Sequence, residues 1–320
     1  MPNNKIIWKK QGVVIPNNKE GKFDSVHTYG PCVIKDGPKY KMWYSGHDGT
    51  TERILYSESA EGVEWKKPKL VLDVSNYMSE YIEGGNKVKS APYHQRTQDN
   101  LHAYAPFVLK ERNHYKMWYL GKYDEHIYKL FYAVSKDGLE WTKLGLSLDL
   151  NPNAVNANNY DGRFDTHHVS YPFVLRDKNG LYQMWYTGKD HTHMRILHAY
   201  SFEGFHWFRT GIVLNIDKNG SGSLDTCYPH LTFNDDLNRW EMFYTGFDTK
   251  HKRTLLALST DRKDWVKCGV TLNVSKTGPD SVHAYTPTVI YDQGLYRMWY
   301  SGFDGKTYQI CYAEGRIAND

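Results

Sequence analysis

One short phrase returns five times along the 320 residues and limits the fold more than any other feature. It reads Met, Trp or Phe, Tyr, a variable residue and Gly, and it occupies residues 42–46, 117–121, 184–188, 242–246 and 298–302. Its alternating large side chains suit a β-strand packed between neighbouring sheets. Five copies predict five repeated structural units. The first two intervals are the longest, which predicts surface insertions at roughly 75–97 and 150–161.

Each copy carries the same order of strand signals around that phrase. A first strand with a proline soon after a tyrosine precedes it, a turn bearing Gly and Asp follows it, and a third strand and a Trp-marked fourth strand complete the unit. The fifth copy lacks its fourth strand, but the N-terminal residues 5–15 carry the missing pattern. We therefore predict an all-β fold: a single five-bladed β-propeller over residues 1–320, with four-stranded blades and a ring closed by the N-terminal strand.

Composition and charge argue against several other classes of protein. No apolar run approaches the length of a membrane span, and the formal charge of +4 is spread in mixed-sign pairs. We expect neither a membrane nor a nucleic-acid partner. The first residues lack the features of a secretory signal, so we expect a cytoplasmic protein. The four cysteines lie far apart without Cys-x-x-Cys spacing, which predicts reduced thiols.

An Asp-x-x-His motif stands just before the first strand in four of the five copies, with a proline four residues after the histidine. The innermost strands of a propeller run side by side around a channel, so equivalent residues near their starts converge. The sequence therefore predicts a functional site at the channel mouth. The candidate catalytic residues are Asp24, Asp99, Asp165, Asp225 and Asp280, and the candidate metal ligands are His27, His102, His168 and His283.

The fourth copy departs from this motif in a way that the sequence leaves open. Counting back from Pro229 puts Asp225 at the position of the histidines. Matching residues 222–224 to residues 162–164 instead makes Asp225 the equivalent of Asp165 and implies a deletion.

Two roles of the repeated Asp and His positions also stay open. Burying several imidazoles and carboxylates in one volume costs free energy unless the groups are paired, bound to a metal or used in catalysis. Imidazole and carboxylate suit zinc, iron, copper or nickel, so one prediction is a divalent or transition metal ion in the channel. The other is structural: each Asp caps backbone N–H groups of its entry loop, and each His bonds a neighbour.

A second polar set is predicted on the same face, in the turn between the second and third strands. An aspartate recurs there in every copy, at residues 48, 124, 190, 248 and 304, and such turns favour Asp. Arginines follow in three copies and would form a rim that grips hydroxyls, carboxylates or phosphates. The candidate substrate-binding residues are Asp48, Arg53, Asp190, Arg195, Arg253 and Asp304.

A Gly-x-Phe-Asp-Ser entry at 21–25, a proline-bearing first strand and Tyr-Lys-Met-Trp-Tyr-Ser-Gly-x-Asp-Gly at 40–49 resemble the five-bladed propellers of the glycoside hydrolase superfamily, which includes families 32, 43, 62, 68 and 130. The resemblance covers nearly the whole chain. It implies a carbohydrate or another polar small molecule as substrate.

The resemblance to family 43 also implies residue roles. That family places an Asp base, an Asp that modulates pKa and a Glu acid near the inner ends of its first three blades. Asp24 and Asp99 match the first two, and Asp165 stands where the glutamate would be. Some relatives hold a channel metal through one histidine, and the four histidines here depart from that pattern, as in a divergent His-rich member.

Three functional hypotheses follow. The first is a glycosidase-like enzyme in which Asp24 is base or nucleophile and Asp165 is the acid. The second is a metal-dependent lyase, cyclase or oxidative tailoring enzyme, with the four histidines as ligands and an aspartate as base. The third is a non-catalytic sugar-binding propeller. The resemblance favours the first for substrate class, and the residues favour the second.

Overall fold

The computed structural model describes residues 5–20, 22–75, 99–122, 127–151 and 164–318, and the backbone of a short hairpin at 81–83 and 86–88. In these residues the chain is all-β, as predicted. Nothing in this part of the chain forms a helix with the length and apolar character of a membrane span. Most of the two predicted insertions, 75–97 and 150–161, lies outside the described residues.

Most of the described strands belong to four-stranded antiparallel units that repeat along the chain. The N-terminal strand is β1 (Ile6–Ile15), and unit 1 contains β2 (His27–Asp36), β3 (Lys39–His47), β4 (Glu52–Ser59) and β5 (Lys69–Leu72). A separate hairpin follows, formed by β6 (Tyr81–Glu83) and β7 (Asn86–Val88). Unit 2 contains β8 (His102–Lys110), β9 (Tyr115–Lys122), β10 (Tyr128–Ser135) and β11 (Thr142–Leu148).

The later units repeat the same order. Unit 3 contains β12 (His168–Arg176), β13 (Tyr182–Lys189), β14 (Met194–Ser201) and β15 (Phe208–Leu214). Unit 4 contains β16 (Asp225–Asn234), β17 (Arg239–Phe247), β18 (Lys252–Ser259) and β19 (Val266–Leu272). Unit 5 contains β20 (His283–Asp292), β21 (Leu295–Phe303) and β22 (Tyr308–Ile317).

The first and last strands of the chain pair with each other. β1 runs antiparallel to β22, with Ile6 opposite Ile317 and Ile15 opposite Ile310, so β1 supplies the fourth strand of unit 5. Units 2 and 3 also touch edge to edge, through one parallel pairing of Tyr128 with His168.

The repeated phrase forms the second strand of every unit, and it is buried on both faces. Its Met, its Trp or Phe and its Tyr are at most 1% exposed in all five copies. Successive side chains of a strand point to opposite faces, so one face packs within the unit and the other needs a neighbouring sheet. The units therefore cover one another.

Each inner strand is bent at the residue before its proline. This residue has a positive φ, between +45° and +59°, in all five units: Gly30, Ala105, Tyr171, Tyr228 and Thr286. The pairing with the second strand shifts register at the same place, which marks a β-bulge. A non-glycine residue in left-handed backbone is strained and persists only where its surroundings hold it.

A hydroxyl of the preceding unit holds the bend in four units. The Ser or Thr before the Gly of the phrase accepts a hydrogen bond from the N–H of the bent residue. The pairs are Ser301 with Gly30 at 2.9 Å, Ser45 with Ala105 at 2.8 Å, Thr187 with Tyr228 at 2.7 Å, and Thr245 with Thr286 at 3.1 Å. Unit 2 has Leu120 at this position, which offers no hydroxyl to Tyr171.

The tryptophan of the repeated phrase links neighbouring units by a hydrogen bond. Its Nε1 donates to a carbonyl in the outer turn of the next unit: Trp43 to Gly138 at 2.8 Å, Trp118 to Gly204 at 2.9 Å, and Trp299 to Gly62 at 2.7 Å. In unit 4, Arg262 replaces the glycine, and within the described residues Trp185 Nε1 has no hydrogen-bond partner.

We expect Gly138→Ala to destabilise the protein more than Gly269→Ala. The two glycines have nearly the same φ, +81° and +85°, so the backbone strain of an alanine is about the same at both positions. A Cβ on Gly138 would lie 2.8 Å from the Trp43 ring, whereas a Cβ on Gly269 would meet nothing within 4 Å. Urea denaturation should show an extra loss of about 1–3 kcal/mol for Gly138→Ala. Equal losses would contradict the role given to the Trp43 contact.

Candidate functional site

A cavity of about 380 Å³ opens where the inner strands begin, the place that the repeat predicts for a functional site. Residues of all five units line it. Each inner strand contributes one tyrosine to its wall: Tyr29, Tyr104, Tyr171, Tyr228 and Tyr285. These rings give the cavity an apolar body with hydroxyl groups at its edges.

Three of the four predicted metal-binding histidines bond the backbone of the preceding unit. Their Nδ1 atoms accept the N–H of the first residue of a third strand. The pairs are His27 with Tyr308 at 3.3 Å, His102 with Glu52 at 3.1 Å, and His283 with Lys252 at 3.2 Å. His168 packs on Tyr128, with 4.3 Å between ring centroids.

These contacts do not gather the four imidazoles into one ligand set. Among the described residues, no group of three or more His, Cys, Asp or Glu side chains is arranged to hold a metal ion. The predicted site at His27, His102, His168 and His283 is therefore corrected: the neighbouring backbone uses Nδ1 of three of these rings. Burial also lowers the pKa of His102 to about 4, which keeps that ring a neutral acceptor.

Asp225 takes the histidine position, which answers the question that the fourth copy leaves open. It begins β16, and its Oδ1 accepts the N–H of Met194 at 2.8 Å, just as the histidines accept theirs. In unit 4 the aspartate that pairs with the outer-strand cation comes from another place in the chain and is 30% exposed. Asp217 pairs there with Lys267 at 2.6 Å. Asp225 thus joins two units, and it is not among the residues that line the cavity.

Asp99, Asp165 and Asp280 are enclosed within their own units and are only 1–2% exposed. Each accepts a hydrogen bond at 2.9 Å from the tyrosine hydroxyl of its unit's phrase. Each also pairs with a cation two residues after the outer-strand Trp: Lys143 at 2.7 Å, Arg209 at 2.6 Å and Lys10 at 2.5 Å. The structure places these carboxylates in contacts between strands, and they are not among the residues that line the channel-mouth cavity.

Asp24 belongs to the same set but pairs with no cation among the residues that the structure describes. Pro68 interrupts the outer strand of unit 1, which begins only at Lys69, and no ion pair joins Asp24 to Lys67 within the described ranges. Burial raises the pKa of Asp24. Its carboxyl group borders a surface pocket beside Trp65, away from the channel-mouth cavity.

The predicted rim residues bond one another within their own turns. One carboxylate oxygen of Asp48, Asp190 and Asp304 accepts the N–H groups two and three residues later, at 2.7–2.8 Å. In three turns the other oxygen pairs with the arginine: Asp48 with Arg53 and Asp190 with Arg195, each at 2.5 Å, and Asp248 with Arg253. These residues shape the turns and do not line the cavity. Asp124 lies outside the described residues.

Glu52 lines the cavity, and the sequence analysis did not single it out. It begins β4, and its side chain is 19% exposed. The Tyr29 hydroxyl donates to Oε1, and Oε2 lies 3.2 Å from His102 Nδ1, which already accepts the Glu52 N–H. Burial raises the pKa of Glu52 to about 7, and the positive charge of Lys122 opposes part of this rise.

Differences between the units, rather than repetition, are the signal that could have found Glu52. The first residue of the third strand is different in nearly every unit, in a stretch where its neighbours repeat. The five side chains are Glu52, Tyr128, Met194, Lys252 and Tyr308, and all but the lysine line the cavity.

Two imidazoles stack at the cavity wall. The ring centroids of His27 and His47 lie 5.5 Å apart, and the planes are inclined by 19°. Burial lowers the pKa of both rings, so both are neutral bases at neutral pH.

Sequence comparisons place this chain near proteins without a known activity. No protein-family model matches it. Two curated relatives from Mycobacterium tuberculosis, the uncharacterized proteins Rv1502 and MT1551, are 30% identical over 168 residues. That segment is 49% of this chain and 45% of each relative, so the chain spans about half the length of the curated relatives it matches.

Solved structures give a clear likeness in fold. A glycoside hydrolase matches with a TM-score of 0.74 at 18% identity, over 97% of this chain and 93% of that chain. The β-1,2-mannobiose phosphorylase from Listeria innocua matches with a TM-score of 0.70 at 11% identity, over 98% and 97%. A thermostable family-43 glycoside hydrolase matches with a TM-score of 0.64 at 13% identity, over 94% of each. The chain therefore has the fold of the glycoside hydrolase propellers, as its motifs imply.

Proposed function

We propose that this chain is a carbohydrate-active enzyme that cleaves a glycosidic bond in the channel-mouth cavity, with Glu52 as the proton donor. One observation carries the proposal: a largely buried carboxyl group faces an aromatic cavity, and its pKa is raised to about 7. A general acid must hold its proton at working pH and still release it readily, which requires a pKa near that pH.

The cavity has the size and lining that a sugar needs. Its volume of about 380 Å³ falls in the range of small-molecule sites. Tyrosine rings offer flat apolar faces to the C–H groups of a pyranose, and their hydroxyls offer hydrogen bonds to its OH groups. Burial raises the pKa of four wall tyrosines, Tyr104, Tyr171, Tyr228 and Tyr285, well above the ordinary value, so their hydroxyls stay neutral donors.

The base of the proposed reaction comes from histidine. Among the described residues that line the cavity, Glu52 is the only carboxylic acid. His27 and His47 lie in the same cavity as neutral imidazoles, and a neutral imidazole can accept the proton of an attacking molecule. This assignment replaces the aspartate pair predicted from the sequence.

The solved structures support a carbohydrate reaction by analogy of fold. Glycoside hydrolases and mannoside phosphorylases both occur among them, so the acceptor of the sugar is either water or phosphate. Assays should therefore be run both with and without inorganic phosphate.

We also infer that the five units form one closed five-bladed ring. Support comes from the pairing of β1 with β22 and from the hydrogen bond between Gly30 of unit 1 and Ser301 of unit 5. Residues of all five units line both the channel-mouth cavity and a smaller cavity beside the five prolines. A ring of this kind protects the edges of its sheets.

Glu52→Gln should separate substrates by their leaving group. We expect kcat/KM to fall by about 10²–10⁴-fold on an alkyl glycoside, whose leaving group needs a proton. The loss should be much smaller on the dinitrophenyl glycoside of the same sugar, whose leaving group needs none. The measurement is a comparison of both rates over a panel of sugars that begins with β-mannosides.

Asp99→Asn is the matched control, because its carboxylate serves the fold. It should lower the free energy of unfolding and should affect both leaving groups alike. A similar loss on both substrates in Glu52→Gln would contradict the proton-donor role. Tight sugar binding by the wild type without turnover would favour the non-catalytic hypothesis.

The free energy of unfolding should carry a pH-dependent contribution from Glu52. The folded protein holds this proton up to about pH 7, whereas an ordinary glutamate loses it near 4.5, so the folded state binds the extra proton between those values. Its contribution is present below pH 4.5 and is lost as the pH rises to about 7. Denaturation of the wild type and of Glu52→Gln across this range should reveal this contribution. The lowered pKa values of the histidines act with the opposite sign, but their effect cancels in the difference between the two free energies of unfolding. A constant difference would contradict the raised pKa.

A further inference from the structure

We infer that the cavity recognises a substrate with an anionic substituent, a carboxylate or a phosphate, held by Lys122, Lys189 and Lys252. This inference rests on the proposed function and names its substrate class. It uses lysine ammonium groups that are neither ion-paired among the described residues nor part of the proposed acid and bases.

The three lysines belong to three consecutive units: Lys189 lines the cavity, and Lys122 and Lys252 lie against rings that line it. Lys189 ends β13 and lines the cavity directly. Lys122 ends β9, and its Nζ lies 5.3 Å from the ring centroid of Tyr128, which lines the cavity. Lys252 begins β18, and its Nζ lies 5.1 Å from the ring centroid of Tyr285, another lining residue.

None of these lysines has a carboxylate within ion-pair distance in the part of the chain that the structure describes. Lysines that serve the fold are paired: Lys10, Lys143 and Lys267 each lie 2.5–2.7 Å from an aspartate oxygen. Cationic groups of this kind, held beside aromatic rings at a concave site, raise the local concentration of anions.

Other charged groups at the mouth do not cancel the lysines. Arg53 and Arg195 are neutralised within their turns by Asp48 and Asp190. Glu52, the one carboxylic acid among the described lining residues, keeps its proton over much of the range below neutral pH. The cavity therefore carries an excess of positive charge that a substrate anion would offset.

The ends of the second strands give the mouth a cationic side and an aromatic side, and Lys252 adjoins the aromatic side beside Phe247. The last residue of the second strand is lysine in units 2 and 3 but phenylalanine in units 4 and 5, at Phe247 and Phe303. Phe303 stacks on Tyr308, with 4.2 Å between centroids and 21° between planes. A sugar ring packed on this aromatic side would direct an anionic substituent toward Lys122 and Lys189.

Isothermal titration calorimetry on the full chain tests this inference. The probes are a panel of hexuronic acids and hexose phosphates, the neutral parent hexoses, and inorganic phosphate alone. The wild type should bind at least one anionic sugar about tenfold or more tightly than its neutral parent, since a hydrogen bond to a charged group contributes on that scale. The preference should weaken as salt is added.

Variants at Lys189 assign the effect to the site. Lys189→Gln should remove most of the preference, Lys189→Arg should keep it, and Lys263→Gln, on an exposed outer turn, should leave it unchanged. Equal binding of charged and neutral sugars would overturn the inference, as would binding of inorganic phosphate that no anionic sugar displaces. Failure of every anionic sugar to bind would overturn it as well.

The result is independent of the test of Glu52. Anion preference together with normal cleavage by Glu52→Gln would remove only the proposed acid. Loss of cleavage in Glu52→Gln without any anion preference would remove only the present inference.

Discussion

A strand that is buried on both faces cannot be satisfied inside a single four-stranded unit, and this constraint governs the rest of the molecule. The Met, aromatic and Tyr side chains of the repeated phrase are almost completely enclosed in every unit. One face of this strand is covered by the next sheet, so each unit gains this part of its stability only when its neighbours are present. The indole hydrogen bonds from Trp43, Trp118 and Trp299 add direction to this packing, because each reaches a carbonyl of the adjacent unit.

The dependence of each unit on its neighbours also explains the polar residues that recur from copy to copy. Histidines at the strand starts accept backbone N–H groups of the preceding unit, and serine or threonine hydroxyls accept the N–H of the bent residue before each proline. Buried aspartates neutralise a lysine or arginine from the outer strand. Each of these hydrogen bonds or ion pairs satisfies a buried polar group, whose burial without a partner would cost free energy. A residue type that repeats in most units is thus explained by a contact that repeats in most units.

Chemistry is concentrated where the units differ. The first residue of the third strand and the last residue of the second strand face the channel mouth, and their identities change from unit to unit. Glu52, His47 and the three lysines stand at these variable strand ends, whereas His27 belongs to the repeated motif. A scaffold that shares its strand contacts among all units leaves these strand ends free to vary without loss of packing, which suits a fold that hosts many reactions.

The sequence by itself determined the strand content, the repeated order of strands and the place of the cavity, because these follow from side-chain periodicity and turn chemistry, which are local. The N-terminal strand could be matched to unit 5 in the same way, since Trp8 and its neighbours carry the outer-strand pattern. Only the tertiary structure decided which polar residues serve the fold. The motif around Asp99 and His102 reads the same whether those side chains face a ligand or a neighbouring strand, and the difference lies in partners such as Lys143, which is distant in sequence. Glu52 shows the converse: an ordinary glutamate in the sequence acquires a raised pKa only because folding removes water from its carboxyl group.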